Sequence, residues 1–549
     1  MNWLTLISEN PFYEFSIIIA LAALLGAIGQ LLKQPLIVMF IALGIIVGPF
    51  FLDVVHSEEN IHLLAEIGIT ILLFIVGLKL DLRIIKSVGK IALLTGLGQV
   101  LFTSFFGYFI GLSLGFPPLH SFYIAVALTF SSTIIIVKLL SDKKEIDSLH
   151  GQIAIGFLIV QDIVVILVMI ILSAIRQGGE TSLTNDIIKT LVAGTGLVVV
   201  TLIFMKWVIP KTLHFLAKST EILTLFAIAW AISLATIGEL IGFSGEVGAF
   251  MAGVSLASSD YKGLISSRLV SLRDFLLLFF FVNLGIGLDL TVIGSQISSA
   301  LIFSLFVLIG NPIIVLIIMG MLGYRKRTSF LAGLTVAQIS EFSLIFAGLG
   351  LAVGHINDEI VGLITLVGLI TIGISTYLIL YSHPIYEKIA PLLSVFQRKT
   401  PSREGVINDS IQKYDVIIIG LGRFGGKLFE ILSENNEVNS LGVDFDPSTI
   451  KDFQSTGKNV IYGDIEDPEL LEQIPYKKSK IVISTVSDFY HSSHLIKSLK
   501  DVHYSGKIYL TANSENEYQM LKLCGAEEVL KPHQMAAKNF YTNYLKNDT

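Results

Sequence analysis

Gln161 and Asp162 stand in the middle of an apolar run, GQIAIGFLIVQDIVVILVMIILSAI, that extends from Gly151 to Ile175. A helix needs about 20 apolar residues to cross a bilayer, so the run is long enough and Asp162 falls near its midplane. An ionised Asp at that depth costs at least about 2.5–3.5 kcal/mol on insertion scales, so it must face a protein interior or a water-filled cavity. Intramembrane carboxylates of this kind mark ion pathways and proton relays. Two other spans are interrupted by polar residues in mid-membrane. TFSSTIIIVK places Thr129, Ser131, Ser132 and Thr133 there, and AQISEFS places Gln338, Ser340, Glu341 and Ser343 there. Paired breaks in the two halves of a chain point to the ion site of an inverted-repeat transporter, where half-helix ends and freed carbonyls meet an ion. Either stretch alone reads as hydroxyls bonding back to helix carbonyls. Two of them beside an Asp-bearing helix favour a site. Glu341 lies near the centre of its span, where it either pairs with a polar group across the bundle or sets a second negative charge near Asp162. No Lys or Arg sits at the membrane centre as a standing partner for either carboxylate.

A second set of residues suits phosphate chemistry. The strand DVIIIG runs into GLGRFG, which puts Gly420, Gly422 and Gly425 in a GxGxxG pattern at a strand-to-helix turn. The first Gly permits the tight turn, the second lets backbone N–H groups approach a pyrophosphate, and the third lets the helix pack against the sheet. Asp444 follows about 20 residues on, at the end of the next strand, where a carboxylate can take ribose hydroxyls. Asp464, in the YGD that ends the third strand, is a candidate for the adenosine side, and Arg423 at the helix N-terminus can meet a phosphate. An adenine nucleotide, whether AMP, NAD(H) or ATP, is the expected ligand. No substrate domain accompanies the motif, so a sensor is expected and a dehydrogenase is not. His491 and His494, the nearest groups with catalytic potential, fall on a helix after the fourth strand and read as surface residues.

The elements that must position these groups follow from composition. With 549 residues, 53% hydrophobic, 15% charged, and a mean hydropathy of +0.74, most of the chain is a polytopic membrane protein. A net charge of −6 suggests no nucleic-acid surface, and the single Cys524 excludes an intrachain disulfide framework. About 13 candidate spans are expected, at 14–32, 35–52, 61–80, 90–114, 119–140, 151–175, 187–209, 221–240, 243–259, 272–290, 298–323, 328–353 and 358–382. Taking the loops alternately, about 17 Lys and Arg fall on one side and about 2 on the other, which makes the rich side cytoplasmic. The N-terminus is then outside, and everything after Tyr381 is in the cytoplasm of a cell with this protein in its inner membrane. The first apolar segment lacks signal-peptide features and is expected to remain as a helix. The expected domains are a transmembrane exchanger region over 1–385, a polar linker over 386–412, and a nucleotide-binding regulatory domain over 413–549. In the last, strand-length apolar runs alternate with amphipathic stretches, as in a parallel α/β Rossmann-like domain.

SSTIIIVKLL, GFLIVQDIVVI, AEIGITILLFIVGLKLDL and GEVGAFMAGVSLASS, followed by the GxGxxG domain, together resemble the Kef-type monovalent cation:proton antiporters of the second cation:proton antiporter superfamily. The resemblance covers nearly the whole chain. It implies inverted repeats with two crossing broken helices, a homodimer, elevator-like alternating access, and a TrkA-N-like domain of the kind that regulates K⁺ conductance. It also implies that Asp162 is the ion-binding and proton-carrying residue, that Gln161 replaces the first acid of the Asp-Asp pair of electrogenic relatives, and that Ser131, Ser132 and Thr133 offer crossover oxygens. The Gln-Asp pair is similar to that of K⁺-handling members, and Asn311 and Pro312 stand where electrogenic relatives carry a basic residue. The chain departs from glutathione-gated members in the loop SSDYKGLISSRLVSLRD, which is not acidic, and in YLTANSENE, which has no Arg. Transport therefore carries over and glutathione gating does not.

The expected activity is electroneutral K⁺/H⁺ exchange, K⁺ efflux coupled to H⁺ entry, by competition at Asp162 and under nucleotide control. Na⁺/H⁺ exchange is the alternative within the class. A K⁺ channel gated by the cytoplasmic domain is the alternative outside it, but K⁺ channels need a TVGYG-like filter and the sequence has none.

Overall fold

The apolar runs fold as helices whose ends are set by Gly, Pro and short polar residues. The computed structural model describes residues 10–79, 89–174, 213, 215–240, 245–287, 290–398, 414–434, 438–465, 467, 470–486 and 488–545. The expected span 187–209, the loop cations Arg83, Lys86, Arg176, Lys189, Lys206 and Lys211, and linker residues 399–412 lie outside these. The chain divides into two compact units, one of Met1–Asp142, Ile153–Ile318 and Phe330–Lys388, the other of Lys143–Gln152, Met319–Ser329 and Ile389–Thr549.

The first unit is helical. Its helices are α1 (Pro11–Leu31), α2 (Leu36–Val47), α3 (Glu58–Lys79), α4 (Gly89–Ser113), α5 (Pro118–Ala127), α6 (Thr133–Asp142), α7 (Leu149–Ala174), α8 (Thr220–Leu240), α9 (Gly245–Leu256), α10 (Lys262–Ile286), α11 (Leu290–Leu305), α12 (Asn311–Met321), α13 (Lys326–Leu334), α14 (Glu341–Ala352), α15 (Asp358–Leu380) and α16 (Ser382–Leu393), of which 149–152, 319–321, 326–329 and 389–393 count with the second unit. Several, α4 and α7 among them, are long and apolar enough to cross a membrane. Two expected spans are each split. Residues 119–140 form α5 and α6 with a non-helical break at Leu128–Ser132, and residues 328–353 form α13 and α14 with a break at Thr335–Ser340. Small residues let the helices approach closely. At the crossing of α3 and α9, a Cβ on Gly77 would overlap the Phe250 carbonyl oxygen and one on Gly253 would overlap that of Phe74. Between α11 and α12 the helix widens into a turn of π-helix, Phe306–Gly310, that delivers Asn311 into the interior.

The second unit is built on a six-stranded parallel sheet in the order β3-β2-β1-β4-β5-β6. The strands are β1 (Val416–Ile419), β2 (Ser440–Asp444), β3 (Val460–Tyr462), β4 (Ile481–Ser484), β5 (Lys507–Thr511) and β6 (Glu528–Leu530). β1 and β2 are buried along their whole length, which suits a sheet covered on both faces. Helix α17 (Arg423–Glu434) follows β1 and α18 (Pro447–Ser455) follows β2. The order reverses between β2-β1 and β1-β4, the switch point at which such sheets bind ligands beyond their carboxyl ends. The chain is helical as far as Leu393, where the sequence suggests a linker from residue 386.

Candidate functional site

The break between α5 and α6 exists because Thr129 to Ser132 compete for backbone partners. The Thr129 hydroxyl donates to the Val126 carbonyl at 2.7 Å, and Ser132 Oγ accepts the Ile135 N–H at 3.3 Å, as a helix cap does. Thr133 then opens α6 and its hydroxyl donates to Asp162 Oδ2 at 2.9 Å. Asp162 and Thr133 are both half-buried, whereas Gln161, Ser131 and Ser132 are fully buried. The pair therefore sits where the buried break meets accessible space. Among the described residues, Ser131 Oγ is buried and has no hydrogen-bond partner. A buried oxygen left this way is costly unless something occupies it, and a bare monovalent cation is such an occupant.

The second break brings Glu341 to the first. Ser340 caps α14 by accepting the Phe342 N–H at 3.1 Å, while the Ser343 hydroxyl reaches back to accept the Ser340 N–H. Glu341, 2% exposed, opens α14, accepts from the Ser340 hydroxyl at 3.5 Å and has Ser132 as a neighbour. The end of the first break and the start of α6 thus face both carboxylates, with Ser132 beside Glu341 and Thr133 bonded to Asp162. Gln338 Oε1 accepts from the Ser375 hydroxyl at 2.8 Å.

Gln161 turns away from the accessible side. Its carbonyl accepts the Ser131 N–H at 3.0 Å and its NH₂ donates to Gln99 Oε1 at 2.7 Å. Gln99 and Thr103, both fully buried on α4, join this hydrogen-bonded group and are missed by the sequence reading. The available signal is a polar pair four residues apart on one face of an apolar span. Glu66, exposed near the start of its apolar stretch, lines a surface pocket of about 470 Å³ with Glu59, His62, Leu63 and Asn283.

In the second unit, Gly420 adopts φ +92°, a conformation that favours glycine. A Cβ on Gly425 would overlap the Gly420 carbonyl oxygen, so the helix can follow the turn only without a side chain there. A Cβ on Gly422 would meet no atom within 4 Å, so the backbone there is bare and approachable. Both features fit a phosphate cradle. Arg423 is exposed at the first turn of α17. Asp444 is buried at the end of β2 and accepts the Leu421 N–H at 2.5 Å and the Asp446 N–H at 2.8 Å. Burial pushes its carboxyl above the ordinary Asp value, against the pull of those N–H bonds. Asp464, just past β3, pairs with Arg327 at 2.7 Å. Gln152 Nε2 donates to Asp446 at 3.2 Å. Segments 143–152 and 319–329 therefore supply partners to residues just beyond β2 and β3, the carboxyl edge of the sheet.

A family model described as "Sodium/hydrogen exchanger, transmembrane" matches residues 17–380, and one described as "TrkA-N domain" matches 416–532. The chain is 25% identical over 529 residues to YbaL of Escherichia coli, provisionally named a cation/proton antiporter, covering 95% of this chain and 94% of that one. It is 26% identical over 533 residues to the glutathione-regulated potassium-efflux system protein KefC of Klebsiella aerogenes, covering 94% and 82%. The sodium proton antiporter MjNhaP1 of Methanocaldococcus jannaschii shares the membrane fold, with a TM-score of 0.51 at 19% identity over 71% of this chain and 98% of that one. These relatives are transporters rather than enzymes. A match through the whole helical region, joined to the parallel-sheet domain, means that the chain belongs to the sodium/hydrogen exchanger family, as a multi-pass cation/proton antiporter of the Kef type with a TrkA-N domain.

Proposed function

We propose that the cation is K⁺ and that it leaves the cell in one-for-one exchange for an entering proton, by competition at Asp162. The observation that carries this reading is the half-buried Asp162 carboxylate held by the Thr133 hydroxyl at a helix break. A carboxylate withdrawn from bulk water must be neutralised, and here either a proton or a cation does so. The cation would be bound by Asp162, the Thr133 hydroxyl and the unpartnered Ser131 oxygen. Gln161 contributes through the carbonyl that already holds the Ser131 N–H, and Ser132 and Glu341 complete the second layer. Either loaded form is neutral and crosses the hydrophobic barrier, whereas the empty, charged carboxylate does not. Coupling follows from that exclusion. With the Lys- and Arg-rich loops inside, inward proton movement drives cation efflux.

K⁺ is favoured by the Gln-Asp pair and by the potassium efflux for which KefC is named. Na⁺ is the second reading, favoured by the description of the matching family. In the cytoplasmic domain of each subunit of a homodimer, an adenine nucleotide (AMP, NAD(H) or ATP) would be held by the Gly420, Gly422 and Gly425 loop, with Arg423 on phosphate and Asp444 on ribose. Asp464 would face the adenosine. Nucleotide binding would shift the population of transport-competent states.

The test uses purified protein in proteoliposomes with a trapped pH-sensitive dye and an imposed proton gradient, adding K⁺, Na⁺ or Li⁺ in turn. K⁺ should collapse the gradient without a charge-compensating ionophore, and Asp162→Asn should be silent. Cation flux without proton movement, or undiminished exchange by Asp162→Asn, would overturn the reading.

A further inference from the structure

Five buried polar groups on three helices and one break form a chain of hydrogen bonds that ends on backbone carbonyls of both breaks. The Ser131 N–H donates to Gln161 Oε1 (3.0 Å), and Gln161 Nε2 donates to Gln99 Oε1 (2.7 Å). Gln99 Nε2 donates to Thr103 Oγ1 (3.0 Å), and Thr103 Oγ1 donates to Asn311 Oδ1 (2.6 Å). Asn311 Nδ2 then donates to two backbone carbonyls, Leu128 O at 3.4 Å and Val336 O at 3.3 Å. Gln99, Thr103, Ser131, Gln161 and Asn311 are all fully buried.

The direction of this chain is fixed at both ends. A backbone N–H can only donate, so Gln161 must turn its carbonyl to Ser131 and its NH₂ to Gln99. Backbone carbonyls can only accept, so Asn311 must turn its NH₂ toward Leu128 and Val336 and its carbonyl toward Thr103. Every amide between the two ends is then forced into one orientation. Leu128 caps the carboxyl end of α5, and Val336 lies just past that of α13, where helix carbonyls lack partners and carry partial negative charge. One neutral amide therefore satisfies the carbonyl ends of both broken helices and, through Thr103, Gln99 and Gln161, holds the N–H of the break that presents Thr133 to Asp162.

We propose that Gln99, Thr103 and Asn311 are positioning residues for exchange: a neutral, one-directional relay that locks the Gln161 amide and the α5–α6 break in the geometry that gives Asp162 its cation affinity. None of the three touches the cargo. The inference rests on Asp162 as the exchange site, and its test separates the two claims. Thr103→Val removes the only link that both accepts and donates through one atom while keeping the side chain's size and branching. Thr103→Ser restores the hydroxyl. In the proteoliposome assay, Thr103→Val should raise the half-saturating cation concentration about ten-fold, the effect of one lost buried link, with a smaller change in maximal rate. The pH profile of exchange should shift with it, and Thr103→Ser should lie within about two-fold of the parent on both measures.

A purely structural role for Thr103 would lower the amount of folded protein and leave half-saturation and pH profile in place. Unchanged half-saturation and profile in folded Thr103→Val, or equal impairment of Thr103→Ser, would overturn the relay. If Thr103→Val does not fold, Gln99→Met cuts the chain one link earlier and is judged by the same two measures. Asp162→Asn runs beside them. If it still exchanges, the site assignment fails whatever Thr103 shows. If it is silent while Thr103→Val behaves as the parent, only the relay fails.

Discussion

Thr133→Val tests how much of the proposed cation affinity comes from the hydroxyl that donates to Asp162. The substitution keeps the β-branch, so the start of α6 and its packing are preserved. It removes a donor 2.9 Å from Asp162 Oδ2 and leaves a methyl group there instead. A hydrogen bond to a charged acceptor contributes roughly 1.5–3 kcal/mol, equivalent to about ten-fold to a hundred-fold in an equilibrium constant. Two consequences act in the same direction. The cation loses an oxygen ligand, and the ionised carboxylate that it must find loses a stabilising donor, so the balance between proton and cation moves toward the proton. The half-saturating cation concentration at fixed pH should therefore rise by about ten-fold or more. Thr133→Ser, which keeps the oxygen, should stay near the parent. The assay is gradient collapse in proteoliposomes over a cation titration at several pH values. A folded Thr133→Val protein whose half-saturation remains within about two-fold of the parent would refute the claim that this contact serves the ion.

Three other outcomes follow from the second unit. Gly425→Ala places a methyl group against the Gly420 carbonyl and Thr485 Oγ1, so the loop must open, and nucleotide binding to the full-length protein by calorimetry should be lost. Arg327→Gln removes a buried partner of Asp464, a type of change that destabilises by about 3–5 kcal/mol, and should lower the denaturation midpoint of the purified protein. Because burial raises the Asp444 carboxyl, the ionised form that would accept ribose hydroxyls is lost sooner on acidification than for an ordinary Asp. Nucleotide affinity should accordingly weaken as pH falls through that raised value, and Asp444→Asn should flatten the profile.

The legible parts of the sequence were those where a local pattern decides the structure. TFSST and AQISEFS interrupt apolar spans with groups that prefer caps and turns, and the helices do end there. The GxGxxG turn was legible because a positive φ at Gly420 and the absence of a Cβ at Gly425 are demands on single positions. Boundaries were less legible where apolarity stops and helicity does not. The span expected to start at 272 begins as α10 at Lys262, because Lys262, Ser266, Ser267 and Arg268 are tolerated in a helix beyond the apolar core. Likewise, IYEKIAPLL continues as α16 through Leu393 despite Pro391. Strand β6 is three residues long and offers no periodicity to read. Gln99 and Thr103 stayed hidden for a different reason: their role exists only where α4, α7 and α12 meet, and no local window contains that meeting.

That meeting also bears on why a neutral residue suits the position of Asn311. The carbonyl ends of α5 and α13 need donors, and an ammonium or an amide can supply them equally well. The two differ in what they do to a nearby carboxylate. A fixed ammonium would offset the charge of an empty Asp162 and reduce the cost of carrying it across the hydrophobic barrier without cargo, whereas Asn311 supplies the same hydrogen bonds and no such compensation. If Asp162 is the exchange site, it would then take its neutralising partner from solution, a proton on one side or a cation on the other. The tighter that requirement, the less slippage the exchange allows. On the proposed mechanism, the buried amides would thus maintain the helix ends and the strictness of coupling together, which a sequence can express only by omitting a charge.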